Sequence, residues 1–295
     1  MYQNRITASI NRAFSSGPPR EPEADRFPLL FETRKDGDVR TTGVVVSCPA
    51  ISSLDWMAQN HAEFARLAIS RPDAAARGKL ALYGDDELCV LQVGPRGELT
   101  PAFCGNATAA VALAHGRPNG RLRLVAPGGG QVSVDYRCNG NTIMQDWLIP
   151  GMTVDDFVWR SRRCFRVLGL NAYTIITGGL PIGMTADTCR TQLAAGHPNA
   201  KLAVLGEGPM PNSVAFFNAS GRHGAAPMTG LASLAVVASA KPAFAAQLGE
   251  RSVTYQTAAG EETYVLPDIG TAEDGRLRIS MPIVDAFLSP PCEVS

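Results

Sequence analysis

Phe103-Cys104-Gly105-Asn106-Ala107-Thr108-Ala109-Ala110-Val111-Ala112-Leu113-Ala114-His115-Gly116 is the stretch on which the fold turns. After Cys104 it reads as a helix of small, apolar residues almost without charge. A helix apolar on every side has no face to give to water and is buried. The sequence around it supplies strands to do the burying. Downstream, residues 121–136 read as strand, glycine turn at Gly128-Gly129-Gly130, strand, and residues 141–150 as a further strand. Upstream, Pro28–Thr33, Gly43–Cys48, Lys79–Gly84 and Leu88–Val93 read as short strands. Leu54–Ile69 between them has the spacing of an amphipathic helix.

The second half repeats this order. Met228–Ala240 is again a small-residue apolar helix, residues 251–266 are again strand, turn, strand, and residues 276–282 close as the counterpart of 141–150. Gly105 and Gly230 lie 125 positions apart, and Gly130 and Gly260 lie 130 apart. Four matched features in one order at nearly constant offset point to an internal duplication. The expected architecture is α+β: two pseudo-symmetric domains, each a central buried helix wrapped by mostly antiparallel strands. Residues 1–27 form an extension and Pro/Gly-rich linker, 28–150 the first domain and 151–295 the second, with the last strand and tail free to pack back on the first.

The chain has 295 residues, 45% of them hydrophobic and 18% charged, which is a globular composition and too long for one small core. Lys plus Arg and Asp plus Glu each number 27, so there is no net field to attract nucleic acid. The longest apolar-rich run, residues 230–240, is too short to span a bilayer, so no membrane partner is expected. Seven scattered cysteines with no Cys-x-x-Cys pair indicate neither a zinc site nor a disulfide framework, so no metal is expected and a reducing, cytoplasmic setting is. Arg5, Arg12 and Arg20, with no acid among the first twenty residues, are compatible with a mitochondrial transit peptide or with a docked extension. Nothing in the sequence fixes the oligomeric state; a homodimer is compatible with it.

The chemistry concentrates at the two helix starts. There the first N–H groups lack partners and the helix dipole is positive, which suits a carboxylate. Glycine at 105 and 230 lets backbone approach a ligand closely. A thiol at such a position, Cys104, has two readings: a small buried hydrophobe, or a proton carrier tuned by the dipole.

Phe103–Val111 resembles the Cys-Gly-Asn helix start of the diaminopimelate epimerase-like superfamily, closest in pattern to its methylaconitate isomerase (PrpF-like) branch. That resemblance implies two domains with a site in the cleft between them, and proton transfer beside a carboxylate without a cofactor. Cys104 and Lys79 are then the catalytic candidates: Gly78-Lys79-Leu80-Ala81-Leu82-Tyr83 resembles the lysine-bearing strand that precedes the motif in that branch. Lys79 is read equally well as an exposed strand-end lysine or as a base whose pKa is lowered by burial. Substrate contacts fall to Gly105, Asn106, Met228, Thr229 and Gly230 at the helix starts, to Asn171, to His223 and to Thr42 in Arg40-Thr41-Thr42-Gly43. The chain departs from diaminopimelate epimerases at Ala226-Pro227-Met228-Thr229-Gly230, where Pro227 stands in place of the second catalytic cysteine. A proline exchanges no proton. The expected activity is a cofactor-independent isomerisation of a small carboxylic acid by a double-bond shift; a one-cysteine racemase or epimerase, or a binding protein of the same fold, are the alternatives.

Overall fold

In a computed structural model the described residues are 29–35, 38–47, 78–84, 86–93, 99–125, 131–194, 200–206, 208, 210–219, 221–249, 251–257, 260–281 and 283–289. The linker, the amphipathic helix at 54–69 and the triple-glycine turn lie outside them. The chain divides into two compact units. One holds the described residues up to Asp146 and takes back the C-terminal strand; the other is continuous from Trp147 to Met281.

The first unit runs β1 (Leu29–Lys35), β2 (Asp38–Ser47), β3 (Lys79–Tyr83), β4 (Leu88–Val93), β5 (Leu99–Pro101), α1 (Gly105–Ala114), β6 (Asn119–Val125), β7 (Gln131–Asn139) and β8 (Thr142–Ile149). The second runs β9 (Thr153–Trp159), β10 (Arg162–Leu168), β11 (Tyr173–Thr177), α2 (Ala186–Leu193), β12 (Lys201–Leu205), β13 (Ser213–Asn218), β14 (Gly221–Arg222), α3 (Met228–Ala240), α4 (Pro242–Gln247), β15 (Ser252–Thr257), β16 (Gly260–Val265), β17 (Asp268–Thr271) and β18 (Leu277–Ser280). The chain then returns to the first unit as β19 (Val284–Ser289).

In the first unit the strands follow the order β6-β7-β8-β19-β1-β2-β3-β4-β5. A bridge between Glu87 and Arg123 joins the start of β4 to β6, so the sheet curls nearly shut. Inside it lies α1, packed against β1, β2, β3, β4, β6, β7 and β19. The helix has no charged residue, and Gly105 and Ala107–Ala112 are buried. This is the physical reason for the enclosure: α1 has no wet side, and only a sheet that wraps round it removes all of its apolar surface from water. β1 and β2 pair antiparallel, as do β3 and β4, while β2 and β3 between them run parallel.

The second unit repeats the scheme. Its sheet has the order β16-β15-β13-β12-β11-β10-β9, with β11 and β12 parallel and their outer neighbours antiparallel. Buried side chains of α3 (Leu231, Leu234, Ala235, Val237) form one core with Phe165, Phe216, Tyr255 and their neighbours. Helix α2 covers the opposite face through Cys189 and Leu193, against Cys164, Ile176, Leu202 and Val204. It carries a Thr185 side-chain cap on the Thr188 N–H. Thus β1–β4 and α1 correspond in order and direction to β10–β13 and α3.

Candidate functional site

Cys104 is the N-cap of α1, extended at φ −145° and ψ 106°, and its side chain makes no capping hydrogen bond. The thiol therefore stays available for chemistry at the end where the helix dipole is positive. The Thr108 hydroxyl and N–H both bond to the Cys104 carbonyl, at 2.9 and 3.0 Å, and so fix the backbone at this point. From β8, the buried Gln145 reaches in and donates to the Gly105 carbonyl at 2.9 Å. The first turn is thus held from two sides.

Lys79 opens β3. The parallel pair Val44–Leu80 puts Gly43 beside Lys79, and residues side by side in a sheet share a face. Gly43 has no room for a side chain: a Cβ there would stand 2.4 Å from the Lys79 carbonyl oxygen, 2.9 Å from the Lys79 Cβ and 2.6 Å from the Phe31 ring. Burial lowers the Lys79 pKa from its ordinary 10.5, against an opposing contribution from Cys104. The amine and the thiol are therefore close enough to feel each other's charge. Lys79 is partly buried, and its depressed pKa makes a neutral amine more accessible than in an ordinary surface lysine.

The strand beside them supplies a further contact. Asn106, in the first turn of α1, donates to the Thr41 hydroxyl at 2.7 Å. Thr41 lies two residues before Gly43 on β2, so Thr41, Gly43 and Lys79 share the face turned toward α1. Thr42 points the other way. It is 1% exposed, and its hydroxyl has no hydrogen-bond partner among the described residues. The sequence reading assigned a substrate contact to Thr42 within Arg40-Thr41-Thr42; in the structure it is Thr41 that reaches α1. A bulge sets which of the two does so: Thr33 pairs with Thr41 but Arg34 with Val39, so Arg40 is skipped and the alternation before Thr41 cannot be counted through. Gly43 and Gln145, which the sequence reading did not single out, lie beside Lys79 and against the Gly105 carbonyl.

The second unit places Asn171, Thr229 and Met228 together. The Asn171 amide donates to the Thr229 hydroxyl at 3.2 Å, and the Tyr173 hydroxyl stands 3.4 Å from the same oxygen. Thr229 is the second residue of α3, as Asn106 is of α1, and Pro227 is the N-cap, as Cys104 is. Lys201, the first residue of β12, sits beside Tyr173 as Lys79 sits beside Gly43, with its Nζ 5.7 Å from the Tyr173 ring centroid. The clasp from strand to helix start is built twice, with donor and acceptor exchanged.

Gly230 is the third residue of α3 rather than the counterpart of Gly105. Its missing Cβ admits the Phe216 ring, which would otherwise lie 2.5 Å away, so this glycine serves packing. His223 precedes α3 in a loop where its carbonyl accepts from the Tyr255 hydroxyl and its Nε2 lies 3.3 Å from the Asn218 amide. A cavity of about 540 Å³ lies at the other end of α3, lined by Met152, Val154, Val236, Lys241, Ile269 and Leu277 among others. It is separated from the start of α3 by the length of that helix, and its lysine is paired with Asp156 at 3.4 Å.

The described cysteines are all free, and no group of His, Cys, Asp and Glu among the described residues could hold a metal. No described helix is long and apolar enough to cross a membrane.

No family model matches the chain, and no curated protein does. Solved structures do. A predicted epimerase from Pseudomonas aeruginosa superposes with a TM-score of 0.54 at 13% identity, covering 90% of this chain and 99% of that one. A Clostridium difficile protein assigned to the phenazine biosynthesis PhzC/PhzF group superposes with a TM-score of 0.50 at 10% identity, covering 92% and 99%. This chain has the same α+β, two-domain fold.

Proposed function

We propose that the protein is a cofactor-independent isomerase of a small carboxylic acid, working by proton transfer at the start of α1. The observation that carries this reading is the pairing of Cys104 at a buried helix N-terminus with Lys79, whose pKa burial lowers. Lys79, as the neutral amine, takes a proton from the carbon α or allylic to the carboxylate. The electron pair moves into the carboxylate as an enolate-like anion. The backbone N–H groups of Gly105 and Asn106 point along the helix axis toward such charge and stabilise it. The Cys104 thiol returns a proton at another carbon, and the ammonium and thiolate then re-equilibrate. The double bond has moved and no cofactor is consumed.

Pro227 at the N-cap of α3 favours this over a two-thiol inversion, because the position matching Cys104 carries no exchangeable proton. The motif around Cys104 and Lys79 supports a place near the methylaconitate isomerase (PrpF-like) branch, and the fold shared with a predicted epimerase is consistent with that.

The test is solvent exchange. Small carboxylic acids incubated with the protein in D₂O are followed by NMR for deuterium at carbon. Wild type should label at least one acid, and Cys104→Ala should cut the rate roughly 10²–10⁴-fold while leaving the fold intact, the usual share of an acid–base group. Absence of exchange into every acid tried would reassign the chain as a binding protein.

A further inference from the structure

Proton transfer at the start of α1 leaves the cavity at the C-terminal end of α3 without a role. That cavity lies wholly within the second unit, between the last turn of α3, the entry to β9 and the β17–β18 hairpin. Its volume of about 540 Å³ is that of a small-molecule site, and Met152, Val154, Val236, Ala240, Ile269 and Leu277 give it apolar walls. Gly151 and Gly275 line it too, and a Cβ at either would meet nothing within 4 Å.

The charge beside this space is not balanced. Asp156 lies two residues beyond Val154 on β9 and shares its face, so its carboxylate borders the cavity. Arg163 already holds that carboxylate with two hydrogen bonds, Nη2 to Oδ2 at 2.7 Å and Nε to Oδ1 at 3.2 Å. Lys241, from the cavity wall, brings its Nζ to 3.4 Å from the same Oδ2. Two cations thus share one carboxylate, and one positive charge is in excess. The negative end of the α3 dipole offsets only about half of it. On the β17–β18 side Asp268 is paired with Arg251 and Asp274 with Arg276, and Glu273 is exposed in the turn between the strands.

We propose that this cavity binds a medium-chain fatty acid, its chain against the apolar walls and its carboxylate on Lys241. The site is separate from Cys104 and does not rest on the isomerase reading. A neutral ligand leaves the excess charge unmet, a cation adds to it, and a short acid forgoes the walls. When Lys241 turns to the ligand, Asp156 keeps the fork of Arg163, so no carboxylate is stranded.

Octanoate, octanol and acetate, titrated into the full chain carrying ¹³C-methyl methionine and followed by NMR, test this. Met152 lines the cavity, whereas Met228 stands at the other end of α3. Octanoate should shift the Met152 methyl resonance saturably and leave that of Met228 in place. Octanol should bind roughly 5–10-fold more weakly, the share of a half-exposed charge-assisted contact, and acetate should not bind measurably. From hexanoate to octanoate the affinity should rise roughly 2–4-fold per methylene. Lys241→Met should lower octanoate to the level of octanol, and Gly151→Phe, which puts a ring into the cavity, should abolish binding. If Gly151→Phe does not fold, Lys241→Met and the Met152 shift carry the test. A shift of Met228 without Met152 overturns the proposal, as does equal binding of octanoate and octanol. Binding undiminished by the substitutions, or no binding at millimolar octanoate, overturns it as well.

Discussion

Gly43→Ala is the sharpest test of how the site is assembled. The new Cβ would stand 2.4 Å from the Lys79 carbonyl oxygen and 2.6 Å from the Phe31 ring, where ordinary contact begins near 3.4 Å. Phe31 is fully buried, and the carbonyl belongs to a strand paired on both sides, so neither can swing away. β2 and β3 must therefore part locally by about 1 Å. Overpacking of this kind costs roughly 1–3 kcal/mol, and a displacement of that size at a catalytic group can cost about 10²-fold in rate. Urea unfolding should show the stability loss. NMR titration of ¹³C-methylated lysines should show the Lys79 pKa moving back up toward its ordinary value as water enters. Gly151→Ala is the control, since nothing lies within 4 Å of the position its Cβ would take, and it should stay within about 0.5 kcal/mol of wild type. Equal stability and an unchanged Lys79 titration in Gly43→Ala would refute the steric argument.

Other consequences are open to measurement. Because burial holds the Lys79 pKa below 10.5 in the folded protein, the unfolded chain binds the extra proton in the interval between the two values, and stability rises with pH across it. Lys79→Met should therefore stabilise the protein against urea most at neutral pH, with the gain shrinking as pH climbs toward 10.5. Burial pushes the Cys89 and Cys164 thiols up to about 11, so at pH 8 roughly one in a thousand of each is thiolate. A thiol reagent on the native protein, read by mass spectrometry, should label Cys104 well before either of these. Gln145→Leu removes the side-chain donor that holds the Gly105 carbonyl beside its intrahelical bond and should cost about 0.5–1.5 kcal/mol in unfolding free energy, together with a fall in any exchange activity.

How much of this was legible in the sequence follows from what each feature depends on. The two buried helices were legible because an uncharged run of small residues admits few other readings, and α3 coincides with Met228–Ala240 as read. Strand existence was legible from local pattern, whereas the parallel pairings β2–β3 and β11–β12 depend on contacts across long connections. The β9–β10 hairpin escaped because its turn is made by Arg160 and Ser161, both at positive φ (47° and 62°), where Asn-Gly would have announced it. At the site, Cys104 and Asn106 were legible from a motif. Which of Thr41 and Thr42 faces the helix was not, since the bulge at Arg40 decides it. That the empty side of Gly230 accommodates Phe216 was not legible, since only the sheet brings that ring near.

The return of β19 to the first unit has a consequence for biosynthesis. That strand pairs with β1 and with β8 and lies against α1, so the sheet around α1 stays open until residues 284–289 are made. At roughly 5–20 residues per second the ribosome needs about 10–50 s to travel from β1 to β19. The second unit, continuous from Trp147 to Met281, is complete before then. The usual order of N-terminal part first is thereby inverted: the unit that carries Cys104 and Lys79 gains its last strand only after the whole of the second unit has been made.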